Sequence, residues 1–393
     1  MTPIFERRVV AAAAAILVGL AVSAPKAASA GTHPPTALTV ETSHLQRAHL
    51  QRALDSLVAA GVPGAILVVR DRNRTVRITS GLGDVVRHTP MRPGDRFRIA
   101  SQTKTYVSTV LLQLVREGRL RLSDSIERWL PGLVPKGEGI TIRQLLNHTT
   151  GLFDFAGDPR VLEPYLAGDL GHSWAPRQLI RIAVSHPPLF TPGAAQSYSN
   201  TNYILAGLII SAASGNTLRG ELNRRIFQPL HLDATSFPTA PGIRGRHAHG
   251  YLVLRDPLAI DITKISPFPW AAGAIISTAS DDLDFYRALL SGRLLGARLL
   301  LEMKTTVPVE GAPAGVGYGL GLGQSTTRCG TAWGHNGAFG GFYSDIYTSE
   351  HGRHQALLMV NLDRSSHSQQ INSLFYQLLE AAYCSTFTTP GKD

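Results

Sequence analysis

The stretch from Arg98 to Leu120 constrains this chain most. It reads Arg-Ile-Ala-Ser-Gln-Thr-Lys and runs without a break into Thr-Tyr-Val-Ser-Thr-Val-Leu-Leu-Gln-Leu-Val-Arg-Glu-Gly. Val107, Val110, Leu111, Leu114 and Val115 recur at helical spacing and predict one buried stripe of an amphipathic helix, closed by Gly118. A helix starting near Ser101 puts Ser101 and Lys104 on its first turn, with side chains about 5–6 Å apart and able to meet. The positive field of a helix N-terminus favours a developing anion on the hydroxyl and eases loss of the lysine proton. An acyl-transfer serine needs that pairing. A serine that merely caps the helix is the plainer reading of the same position.

The N-terminus reads as a separate unit. Glu6, Arg7 and Arg8 precede an apolar run from Val9 to Val22, and Ala28-Ser29-Ala30 supplies the small residues of a cleavage site. The run is shorter than the ~20 residues a membrane-crossing helix needs. Residues 1–30 are therefore expected to be a removed export signal, with cleavage near Ala30 and a secreted or extracytoplasmic mature protein. Two cysteines, Cys329 and Cys384, lie in that mature chain, and an even count in an oxidising compartment suggests a bridge. Closing that loop stabilises a fold by roughly 4 kcal/mol in the chain-entropy model; two free thiols are the alternative. The formal charge of +10 falls to +8 without residues 1–30, which carry Arg7, Arg8, Lys26 and Glu6. No basic cluster interleaved with aromatics marks a nucleic-acid site, so a generally cationic surface suited to an anionic cell envelope is the better account. The sequence leaves the oligomeric state open.

At 393 residues and 44% hydrophobic content the chain can bury one large core or two smaller ones. Residues 31–43, rich in Pro and Thr, read as a flexible leader. His44 to Ala60 predicts an amphipathic helix with Leu45, Leu54 and Leu57 on its apolar side. Gly64 to Arg70 and Thr75 to Gly81 predict a hairpin turning at Asp71 to Arg74. From Ser123 to Asp261 the pattern is mainly helical, including a short capped helix from Thr141 and an apolar one from Asn202 to Ala213. Strands return at Gly317–Leu322, Thr331–Gly337, Gly341–Tyr347 and His354–Leu362, before a closing helix from Ile371 to Tyr383. Strands at both ends and helices between them predict an α+β fold, a sheet built from the two termini with an inserted helical subdomain. The expected division is 44–122 with 262–393 as the α/β part, and 123–261 as the helical part.

Ser-x-x-Lys alone proves little, since Ser23 and Lys26 match it inside the export signal. It gains weight from Tyr198-Ser199-Asn200, which follows the Pro192-Gly193 turn and precedes an apolar helix, and from His335-Asn336-Gly337, which opens a glycine-rich strand. In this order and at these separations the three elements resemble the serine penicillin-recognising hydrolases: D-alanyl-D-alanine carboxypeptidases, class C beta-lactamases and their esterase relatives. The likeness extends to Leu145-Leu-Asn-His-Thr-Thr-Gly-Leu152, to Gly317-Tyr-Gly-Leu-Gly-Leu322 and to the placement of Cys329 and Cys384, and so covers nearly the whole mature chain. The resemblance implies a beta-lactamase/transpeptidase-like fold, an antiparallel sheet flanked by helices with an all-helical domain and the site between them. It implies that Ser101 is acylated, that Lys104 accepts or relays its proton, and that Tyr198, its pKa lowered by the neighbouring cation, serves as general base and then as acid toward the leaving amine. Asn200 would hold Lys104 and the substrate amide, and His335 would orient Tyr198 or the substrate's carboxylate end. The backbone of Gly337 and Ala338 would bind substrate, the N–H groups of Ser101 and Ala338 forming the oxyanion hole. Neither metal nor organic cofactor is implied.

Two positions depart from the carboxypeptidase pattern. Ala338 stands where a Thr usually follows His-x-Gly, and Gly323 falls where an Arg is expected; Arg328 is nearby but not equivalent. The expected activity is nonetheless a D-Ala-D-Ala carboxypeptidase-type peptidase. The alternatives with the same residues are an esterase, a beta-lactamase or a D-amino-acid amidase, and, in another class, a non-hydrolysing beta-lactam or envelope-binding protein. The expected partner is accordingly a small peptide, ester or beta-lactam substrate. His247 and His249 form a His-x-His that lacks a third ligand and reads as a solvated strand face. Trp270, Phe153 and Phe155 are candidates for the acyl pocket, with core packing as the alternative.

Overall fold

The computed structural model describes residues 41–253 and 259–387, so the expected export signal and most of the leader lie outside the described residues. Helix α1 (Glu41–Ala59) buries Leu50, Leu54 and Leu57, spaced for one face. Leu45 departs from the expected apolar side: it is 70% exposed. Strands β1 (Gly64–Asp71) and β2 (Arg74–Asp84) form the hairpin, with Leu67 opposite Ile78. A short strand β3 (Phe97–Arg98) leads through a single 3-10 turn, Ala100–Gln102, into helix α2 (Thr103–Arg116). The helices that follow include α3 (Ile142–Leu146), whose N-terminus carries a reciprocal Thr141–Gln144 capping box, and α4 (Asn200–Ser214). Next come β4 (Ile276–Ser277), which pairs with β3, and α5 (Ala279–Leu290). The C-terminal part supplies β5 (Gly317–Tyr318), β6 (Gly323–Thr327), β7 (Gly330–Gly334), β8 (Asn336–Phe339), β9 (Phe342–Thr348), β10 (His354–Val360) and helix α6 (Gln369–Cys384).

These strands join one antiparallel sheet in the order β2-β1-β10-β9-β7-β6-β5, with β8 on the β7 edge of β9. Strands from the N-terminal and C-terminal parts of the described chain meet within it, where Leu67 of β1 pairs with Leu358 of β10. Both strands are buried almost throughout, because both faces of the sheet are covered. Ile66, Val68, Leu357 and Met359 point into a core shared with α2 and the helices beyond it. Ala65, Leu67, Val69, Ala356, Leu358 and Val360 point the other way, under α1 and α6. Period-two alternation thus sorts one run of apolar residues between two cores.

Two expectations need adjusting. Helix α2 is buried on all sides from Thr103 to Leu114 rather than along one stripe, since it is sandwiched between sheet and helices. Its polar residues are satisfied internally: Thr105 Oγ1 donates to the Gly321 carbonyl at 2.7 Å, Tyr106 OH to Asp282 at 2.9 Å, and Ser108 Oγ meets Tyr203 OH at 3.0 Å. The run Gly317–Leu322 is not one strand. It turns at Gly321 (φ 78°), where a Cβ would lie 2.1 Å from Ser108 Oγ. The chain passes so close to α2 that only glycine fits.

Candidate active site

Ala100 carries a positive φ of 48°, a conformation a non-glycine residue adopts only when its surroundings impose it. Here the imposing neighbour is β8: a Cβ on Gly337 would lie 2.0 Å from the Ile99 carbonyl oxygen, so strand and turn touch backbone to backbone. The turn aims Ser101 outward, partly exposed, while Lys104 one turn later is fully buried. Lys104 Nζ donates to Ser101 Oγ at 3.0 Å, to Asn200 Oδ1 at 2.8 Å and to the Ala272 carbonyl at 2.8 Å. Three fixed acceptors hold the amine against the hydroxyl.

Tyr198 lies across this pair. Its phenol feels the Ser101 side chain, and Lys104 Nζ sits 4.8 Å from its ring centroid. The three residues expected to carry the chemistry are therefore together. Burial pushes the Lys104 ammonium down to about 7, with Asp154 opposing the shift. The same burial raises the Tyr198 phenol well above its ordinary value. This corrects the expected lowering of Tyr198: desolvation of a phenolate, reinforced by Asp154 and Tyr203, outweighs the opposing effect of the Ser101 side chain.

His335 hydrogen-bonds Tyr318 rather than Tyr198. Its Nδ1 donates to the Asn336 carbonyl at 2.5 Å, which leaves Nε2 to accept from Tyr318 OH at 2.8 Å. Its ring centroid is 6.4 Å from that of Tyr198. Burial lowers it to about 3, so it is neutral. Its contact with the Tyr198 region runs through Tyr318.

Three neighbours had no role assigned from the sequence. Asp154 accepts from Asn200 Nδ2 at 2.9 Å and continues the chain Lys104–Asn200–Asp154; burial raises its carboxyl above the usual range. His148, fully buried, packs its ring 4.2 Å from that of Tyr198 and accepts at Nδ1 from the Ser199 N–H at 3.2 Å, which fixes the proton on Nε2. Tyr318 bridges to His335. Only the position of His148 and Asp154 around the Thr149-Thr-Gly151 turn hinted at them.

A cavity of about 500 Å³ opens beside these groups, walled by Asp154, Tyr198, Tyr318, His335 and Asn336 and extending toward Asp345. Gly323 lines it where an arginine was expected, whereas Arg328 lies outside it and is exposed. Of the candidate acyl-pocket aromatics, Phe155 is fully buried in the core, Phe153 stacks on His186 at 3.9 Å, and Trp270 lies against Gly207. His249 bonds Asp261 at 2.6 Å and lies 3.6 Å from Asp84. Among the described residues no group of three or more His, Cys, Asp or Glu could hold a metal ion.

The Beta-lactamase family profile matches residues 50–378. The chain belongs to the beta-lactamase family of serine hydrolases. Its sheet and helices are those of the beta-lactamase/transpeptidase-like fold. Among solved structures it resembles a D-stereospecific amidohydrolase from Streptomyces sp., with 38% identity, a TM-score of 0.77, and coverage of 84% of this chain and 98% of that one. It also resembles the D-amino acid amidase of Ochrobactrum anthropi SV3 complexed with L-phenylalanine amide, at 30% identity and a TM-score of 0.76, over 86% of this chain and 99% of that one. A D-aminopeptidase of Cereibacter sphaeroides is 26% identical over 333 residues, 81% of this chain and 61% of that longer protein.

Proposed function

We propose that this hydrolase acylates Ser101 with the D-aminoacyl part of amides and short peptides whose leaving group carries no carboxylate. One observation carries the reading. The cavity wall holds three carboxylates, Asp154, Glu310 and Asp345, and no lysine or arginine. A leaving D-alanine would enter without a charged partner and forgo roughly 1.5–3 kcal/mol per absent contact. A neutral amide or an amine meets no such penalty. The D-stereospecific amidohydrolase and D-amino acid amidase relatives support the same direction.

Ser101 Oγ attacks the substrate carbonyl as its proton passes to Lys104 Nζ, 3.0 Å away. Burial keeps a share of Lys104 neutral near pH 7 and so makes it the proton acceptor. Tyr198, held as a neutral phenol, donates to the leaving nitrogen and is restored by the proton Lys104 took up. Asn200 fixes Lys104 through Oδ1, and Asp154 fixes Asn200. The N–H groups of Ser101 and Ala338 receive the oxyanion, brought together because Gly337 lets β8 reach the Ile99 carbonyl. Water then releases the acyl group.

The test compares ammonia release from D-phenylalanine amide with D-alanine release from a D-Ala-D-Ala peptide. We expect kcat/KM for the amide to be at least about tenfold higher. Faster D-alanine release would establish the carboxypeptidase instead. Turnover of p-nitrophenyl acetate alone would indicate an esterase, and neither turnover nor a labelled-penicillin adduct would indicate a binding protein. The same reading includes export through residues 1–30 and a bridge between Cys329 and Cys384, whose Cα atoms lie 5.5 Å apart; the intact mass of the secreted protein checks both.

A further inference from the structure

The cavity continues well beyond the reacting groups. Besides Tyr198 and Asp154 its wall includes Gly317, Gly323 and Gly334, and also Asp345, Tyr347 and Tyr376. The glycines are neighbours across β5, β6 and β7: Gly323 pairs with Gly334, and Gln324 beside it pairs with Gly317.

Asp345 is only 8% exposed, yet it makes no ion pair among the described residues. Arg364, the cation whose field it feels, is engaged over the Tyr343 ring at 5.2 Å. Desolvation outweighs both the Ile346 N–H that the carboxylate accepts and the attraction of Arg364, and raises its pKa to about 7. Its neighbours in that wall are phenols, of which the Tyr376 hydroxyl already meets that of Tyr343 at 2.5 Å. A buried carboxylate that accepts only the Ile346 N–H, has no ion-pair partner among the described residues and lines an open cavity with no lysine or arginine in its wall is a site short of a positive charge.

We propose that Asp345 anchors a subsite for a primary ammonium group carried by the substrate, roughly the length of a lysyl side chain from the carbonyl that Ser101 attacks. The register gives the distance. Asp345 pairs with Asn336, and Ala338 lies two residues further along β8. A rise of about 3.4 Å per residue and about 5 Å between strands separate the Asp345 and Ala338 positions by about 8 Å. An α-ammonium sits too close to its own carbonyl to span that gap. The ammonium at the end of a lysine-like side chain reaches it, and its compact, multi-donor head suits one carboxylate flanked by hydroxyls better than a planar guanidinium does.

This inference rests on the D-aminoacyl reading above, so its test separates the two. The D-phenylalanyl amide of 1,5-diaminopentane, whose leaving amine carries a distal ammonium, is compared with that of n-hexylamine, in which a methyl replaces the ammonium. We expect the diaminopentane amide to have at least about tenfold higher kcat/KM, carried mainly by KM. In Asp345→Asn the preference collapses to within about twofold. Hydrolysis of both amides by the unaltered protein without preference overturns the subsite and leaves the D-aminoacyl reading standing. Hydrolysis of neither overturns that reading, and the subsite is then decided by calorimetric titration of the same protein with n-pentylamine and n-pentanol. Tighter binding of the amine by at least about tenfold upholds it, and equal or absent binding overturns it. These comparisons need no variant, so they stand even if Asp345→Asn fails to fold.

Discussion

On the side of the sheet facing α2, Gln102, Thr103, Lys104, Thr105, Ser108 and Thr109 are all buried, each placed among hydrogen-bond partners. On the side facing α1 and α6, the centre is Leu54, Leu57, Leu67, Leu358, Leu378 and Leu379. The same strands supply both. The apolar face can tolerate substitution by volume, because its contacts are non-directional. The polar face is a fixed network in which a lost partner leaves a desolvated group behind. Damage to the first should lower stability, and damage to the second should lower catalysis. Four measurements break or sharpen that contrast.

The largest effect is expected from Ser101→Ala. Loss of the nucleophile should cut kcat by at least about 10⁴-fold and abolish any labelled-penicillin adduct. The thermal midpoint should hardly move, since the side chain is partly exposed. An adduct that survives in Ser101→Ala assigns the chemistry to another residue.

Lys104 comes next. Lys104→Met should lower kcat by about 10²–10⁴-fold. In the unaltered protein, kcat/KM should fall as pH drops through about 7, because the acceptor amine becomes protonated there. Asp154 raises the Lys104 pKa, so Asp154→Asn should move that acid limb to lower pH. A limb that stays in place or moves upward contradicts Lys104 as the base.

On the apolar face, Leu358→Ala should cost about 2–5 kcal/mol of folding free energy, read from denaturant midpoints at unchanged m-value. Activity per folded molecule should persist. Loss of turnover at a temperature where the variant is folded would mean that the two faces are coupled.

The contrast also explains what the sequence could reveal. Ser101 and Lys104 were legible because they are three residues apart on one turn, and α2 because its apolar residues recur at helical spacing. Tyr198, Asn200 and His335 were legible only as motifs in company. Asp154, His148 and Tyr318 gave almost no signal, since their roles arise from contacts over tens to hundreds of residues. The Tyr198 phenol was misjudged for a related reason: a neighbouring cation can be inferred from spacing, but desolvation is a property of everything packed around the group. Gly317–Leu322 alternates like a strand, and only the approach of Ser108 shows why Gly321 turns there instead.

The smallest effect tests the apolar face at its margin. The periodicity of α1 places Leu45 with Leu54 and Leu57, yet it is 70% exposed while they are fully buried. A stripe read from spacing assumes that the partner surface runs the length of the helix, and Leu45 lies beyond it. Leu45→Ser should therefore change stability by no more than about 0.5 kcal/mol, against the several lost at Leu358. A cost near 2 kcal/mol would mean that something covers this turn in solution, and residues 1–40, outside the described chain, would be the first place to look.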